Sequence, residues 1–174
     1  MQINPDLLDA SYNIPLSLFQ SDLYIIKMDN NQNELISRRQ QDRVLLVVRG
    51  DLCAIAKLLE GDPTGLGRWN SIDIYSDQCK IRFITTYCCV KSRQTNNTVF
   101  MQQLRYFQRK KRNICPVKAF TIDLSYFLQQ SLQQGFELIV CLDINKNMKV
   151  DHLARVFRSL DLLETMQMFY QGVE

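Results

Sequence analysis

Residues 1–43 show no sustained apolar pattern and are polar and rich in Asn and Gln. The single apolar patch there, Leu23 to Ile26, reads as a short strand. Val44 to Val48 is an apolar, β-branched run and predicts a strand. Gly50 and Asp51 then offer a turn into a second strand over 52–56, which makes a hairpin. Gly61, Pro63, Gly65 and Gly67 mark a loop. Beyond it, 70–75 and 80–87 predict two more strands joined by the polar turn Ser76, Asp77, Gln78.

From Asn97 the apolar spacing becomes helical. Val99, Met101, Leu104 and Phe107 share one broad face, and Thr98 is placed to cap the first turn. Pro116 starts a second helix with Phe120, Leu124, Phe127, Leu128 and Leu132 at helical intervals, closed by Gly135. Leu138 to Leu142 shows no alternation, so it predicts a strand buried on both faces in the middle of a covered sheet. A last helix is expected from Val150 to about Leu160. A helix followed directly by a buried strand is the crossover half of an α/β arrangement, and no internal repeat interrupts it.

Composition narrows the picture. At 174 residues, 46% hydrophobic and 22% charged, the chain suits one globular domain. With 21 Lys and Arg against 18 Asp and Glu, the formal charge of +3 does not by itself call for a nucleic-acid partner. Six cysteines, several inside apolar runs, form no CxxC pair and stand beside one histidine. They read as reduced thiols rather than a zinc site. No basic leader precedes an apolar segment, and no window approaches 18 apolar residues. The expectation is an intracellular protein, nuclear or cytoplasmic, without a membrane partner; oligomeric state is not legible.

Asp143 and Asn145 project from the carboxyl end of the predicted buried strand, two residues apart, where α/β proteins commonly hold ligands. A carboxylate can orient a water and an amide can donate to a phosphate oxygen, which suits attack on a phosphodiester. A strand-ending Asx turn explains the same pair without chemistry. Arg105, Arg109, Lys110, Lys111 and Arg112, interleaved with Tyr106 and Phe107, could neutralise phosphates or serve as a nuclear address. They also suit a solvated helix C-terminus. In the stretch from Gly65 to Trp69, Arg68 could reach a phosphate while Trp69 buries its ring.

The order of these pieces carries a resemblance. The loop from Thr64 to Trp69 is followed by a strand from Ile81 to Tyr87 and a helix with Gln102 and Gln103. A helix after Cys115 and Pro116 contains Asp123 and Leu124, and the strand from Glu137 runs to Asn145. Over residues 44–163 the chain resembles the endonuclease/exonuclease/phosphatase superfamily, in the branch found in reverse-transcriptase-bearing mobile elements. That resemblance implies two packed mixed β-sheets flanked by helices, a partial four-layer α/β sandwich. Its domain would cover 44–174 behind a separate N-terminal segment, 1–43. It also implies Tyr87 and Asn145 at the substrate phosphate, Asp143 aligning the attacking water, Mg²⁺ as cofactor and nucleic acid as partner.

The chain departs from the family at several points. The early metal-binding glutamate has no counterpart, since Glu34 follows no strand of the right type. His152 lies too soon after Asp143 to be the terminal histidine and reads as a surface or helix-face residue, Leu142 replaces a glycine, and Cys88 or Cys89 replaces a proline. The expected function is therefore a metal-dependent phosphodiester hydrolase, endonuclease-like, without a complete catalytic set and with its metal ligands unassigned. This implies a fragment or decayed copy of such a domain. The alternative is a non-catalytic remnant of the same fold that binds nucleic acid or protein.

Overall fold

The computed structural model describes residues 24–30, 43–59, 61–91, 98–144 and 152–163. Its centre is the hairpin predicted around the polar turn Ser76, Asp77, Gln78. β4 (Trp69–Tyr75) and β5 (Lys80–Cys88) pair antiparallel with Ile72 opposite Phe83. The tight turn closes as the Ser76 amide donates to the Cys79 carbonyl at 3.0 Å and the Cys79 amide donates to Ser76 Oγ at 3.1 Å. β5 then pairs in parallel with β6 (Glu137–Ile144), and β3 (Ala56–Leu58) pairs antiparallel with β4. The result is a four-stranded mixed sheet of order β3-β4-β5-β6 in a mixed α/β fold.

Two helices, α2 (Val99–Arg109) and α3 (Pro116–Gln133), connect β5 to β6. Thr98 caps α2, its Oγ1 accepting from the Met101 amide at 3.3 Å. α3 begins at Pro116, whose missing N–H belongs to an unpaired first turn anyway. It stops at Gly135 (φ +81°), where the Gly135 amide reaches the Leu132 carbonyl and the Phe136 amide reaches that of Ser131. The main core lies between α3 and the sheet. Phe120, Leu124 and Leu128 are fully buried against Trp69 and Ile84, each burial contributing about 2 kcal/mol. Leu153 of α4 (His152–Ser159) seals the same cluster.

β1 (Tyr24–Asn30) and β2 (Arg43–Arg49) form a separate antiparallel ladder. Leu46 and Val48 of β2 pack on Ile72, Ile74 and Phe83, which covers part of the sheet face opposite α3. Among the described residues this second β-element is a two-stranded antiparallel ladder.

Several sequence expectations are corrected. Leu52–Ile55 is a single helical turn, α1, entered through Gly50 (φ +71°), and the short strand after it pairs with β4. β2 finds its partner in β1 instead of forming a hairpin with 52–56. α2 buries Phe100, Gln102, Gln103 and Phe107, whereas Val99, Met101 and Leu104 are only half-buried. β6 is not an interior strand: among the described residues it is the edge of the sheet, with Ile139 43% exposed and Cys141 exposed.

Candidate functional site

Alternation along the strands sorts the sheet into two faces. Trp69, Ile84, Leu138, Val140 and Leu142 pack toward α3, and Ile72, Ile74 and Phe83 face the β1–β2 ladder. On the ladder face, Thr85 and Tyr87 continue the line of Phe83, Asn70 continues that of Ile72, and Cys141 and Asp143 follow Ile139.

The register brings two of the expected site residues together. Tyr87 and Asp143 are paired neighbours on adjacent parallel strands, at the carboxyl ends of both. Such strands lie about 4.8 Å apart, so phenol and carboxylate project side by side. Tyr87 is half-buried and its amide donates to the Arg68 carbonyl at 3.0 Å, which fixes the strand end; Asp143 is exposed. Asn145 lies outside the described residues, as does Glu34. His152 is exposed at the start of α4.

One step below this lip is a second polar row that the sequence reading missed. Asn70, Thr85 and Cys141 are register partners across β4, β5 and β6. Asn70 is fully buried. Its Oδ1 accepts from the Ser71 amide at 3.0 Å, which leaves Nδ2 without a partner; Thr85 Oγ1 is likewise buried and unpartnered. A buried polar group left unpaired costs about 1–3 kcal/mol. Trp69 Nε1, Ser71 Oγ and Thr86 Oγ1 are also unpartnered, but they lie on the α3 face. Period-two reading would have flagged the row, since Asn70 breaks the apolar line of Ile72 and Ile74, and Thr85 that of Ile81 and Phe83.

Arg68 is not a phosphate contact in this arrangement. It is 1% exposed, and Nε and Nη2 hold Asp62 at 2.6 and 2.9 Å while Nη1 holds Asp123 of α3 at 2.9 Å. Its guanidinium stacks 4.7 Å from the Trp69 ring centre. Burial alone would raise the Asp62 carboxyl, but hydrogen bonds and charge from Arg68, with donors from Thr64, outweigh it and hold the group below its usual range. Burial would lower Arg68, yet Asp62 and Asp123 together raise it. The residue is a fastener between the glycine-rich loop and α3.

The basic stretch ends α2 and leads into α3. Arg105 is half-buried, Arg109, Lys110 and Lys111 are exposed, and Lys111 turns the chain with φ +54°. Arg112 is held by Asp123 Oδ1 at 2.9 Å and lies 5.3 Å from the Phe107 ring centre. Because α3 returns antiparallel to β5 and β6, its first turn stands at their carboxyl ends. Phe120 lies near Trp69 at that end, and Ser131 near Arg82 at the other. The cations therefore gather at the same end of the sheet as Tyr87 and Asp143.

Among the described residues no cluster of three or more His, Cys, Asp or Glu side chains is placed to hold a metal ion. Mg²⁺ prefers carboxylate and carbonyl oxygens, whereas the lip and the row below it offer one carboxylate among hydroxyl and amide donors. The described residues do not fit the ion that the resemblance implies. Among them, no helix is long and apolar enough to cross a membrane. No family model, curated protein or solved structure matches the chain.

Proposed function

We propose that the chain is a phosphodiester-handling domain, endonuclease-like and without a complete catalytic set, related to the endonuclease/exonuclease/phosphatase superfamily. The observation that carries this reading is the register pairing of Tyr87 with Asp143 at the carboxyl ends of two parallel strands. The exposed Asp143 carboxylate aligns a water and accepts its proton. The Tyr87 hydroxyl donates to a phosphate oxygen, and Asn145 adds an amide. The β1–β2 ladder belongs, on this reading, to the second sheet of a two-sheet sandwich. An intracellular location suits a nucleic-acid substrate.

No step is assigned to Mg²⁺, so the expected rate is low. Asp143→Asn lowers nicking of supercoiled plasmid DNA by about 100-fold or more, the ordinary contribution of a positioned acid-base group. Nicking that persists unchanged in the variant sinks the hydrolase reading. A second reading, binding of nucleic acid without cleavage, is favoured by the cations at the same end of the sheet. It predicts salt-sensitive retention of DNA, with a shallower salt slope when Arg109, Lys110 and Lys111 are replaced by Gln.

A further inference from the structure

We propose that Asn70 and Thr85 form a donor shelf for an oxyanion, the phosphoryl oxygens of a phosphate ester, directly behind Tyr87 and Asp143. The proposal rests on the reading of that lip as a phosphoester site, and it adds residues to which that reading gives no role.

The chemistry follows from which atoms are left over. Asn70 Oδ1 is occupied by the Ser71 amide, so the unpartnered atom is Nδ2, which can only donate. The unpartnered Thr85 hydroxyl sits across from it on the same face. Two neutral donors call for an acceptor-rich partner. Exposure falls in steps along the row, from exposed Cys141 through half-buried Thr85 to buried Asn70, so the row leads inward from the β6 side. Both donor atoms are enclosed in this structure, so an oxygen that comes over β6 to the Thr85 hydroxyl, with the Asn70 amide behind it, displaces the side chains that cover the row. The unpartnered atoms of Trp69 and Thr86 differ, because Phe120 and Phe127 of α3 close over the Trp69 ring. Neutral donors hold an anion weakly, and the cations at the α2–α3 connection supply the positive field at this end.

Asp143 makes the test selective, because its carboxylate stands beside the shelf and opposes a free anion. Titration of the whole chain with inorganic phosphate, followed by calorimetry, is expected to show binding. Asn70→Leu and Thr85→Val should each weaken it by about tenfold, the usual worth of a hydrogen bond to a charged group. Asp143→Asn should strengthen it. Without phosphate, Thr85→Val should melt no lower than the parent, because it exchanges an unpartnered hydroxyl for a methyl, whereas Asn70→Leu also gives up the bond from the Ser71 amide.

Absence of phosphate binding by the parent chain overturns the shelf, as does unchanged binding in Thr85→Val, whose near-identical shape decides the matter if Asn70→Leu does not fold. Phosphate binding lost in the shelf variants, with no nicking by the parent, keeps the shelf and removes the hydrolase. Nicking that depends on Asp143, with phosphate affinity untouched in both shelf variants, does the reverse.

Discussion

Arg82 and Arg68 fasten opposite ends of α3 to the sheet, and they do so differently. Arg82 meets Asp73 directly across the β4–β5 pair at 2.7 and 2.9 Å, donates to Ser131 Oγ at 2.7 Å and lies 4.1 Å from the Phe136 ring centre. These partners are all buried. Arg68 joins Asp62 of its own loop to Asp123 of α3, and Asp123 also holds Arg112, whose side chain is 39% exposed. The Arg82 cluster ends at the Tyr75 hydroxyl on Asp73, whereas the Arg68 cluster runs outward as arginine, aspartate, arginine until it reaches the basic connection. A buried pair answers to its own hydrogen bonds and packing; an open chain of charges couples a buried group to the surface.

The strongest way to break this contrast is to remove each arginine. Arg68→Ala abandons two carboxylates, one wholly buried, and is expected to cost about 3–5 kcal/mol in urea denaturation. Arg82→Ala abandons one carboxylate, which keeps the Tyr75 hydroxyl at 3.2 Å, and should fall at the lower end of that range. A loss under about 1 kcal/mol for Arg68→Ala would mean that the buried fastening contributes little.

Acid sharpens the comparison next. Because the folded Asp62 carboxyl lies below its ordinary value, the unfolded chain takes up the proton first as pH falls below about 4. The stability this group supplies is therefore fully present above that pH and drains away as pH drops toward its folded value. Urea midpoints measured from pH 5 to pH 2 should fall less steeply in Asp62→Asn than in the parent. The smallest effect belongs to the outer link: Arg112→Ala should cost less than about 1 kcal/mol, and most of that should vanish in high salt. The cost of Arg82→Ala should barely respond to salt.

What the sequence reveals is what local chemistry decides. Thr98, Pro116 and Gly135 act within their own turns, so α2 and α3 begin and end as read, and the β4–β5 hairpin follows from the polar turn at Ser76 between two strand-forming runs. Pairing over distance is another matter. The apolar run of β6 reads as interior, yet α3 and α4 cover only the face carrying Leu138, Val140 and Leu142. β2 pairs with a segment from residues 24–30 that has weak patterning of its own. Arg68 beside glycines reads as a ligand-binding residue because Asp123, its second partner, lies 55 positions away in the chain. Of the candidate site, Asp143 stands out at a strand end and Tyr87 only through the resemblance; their pairing comes from the parallel register, and Asn70 and Thr85 stand out only once the sheet faces are assigned.

The position of β6 has a practical consequence. No described strand pairs with its outer side, so a row of backbone donors and acceptors is turned outward next to exposed Ile139, a template onto which a second molecule can add a strand. Glu137 and Asp143 bracket that apolar stretch with negative charge, the usual guard against self-assembly. Asp143 then serves as sentry beside the proton-accepting role proposed for it above, and replacing it should make concentrated solutions more prone to form intermolecular sheets.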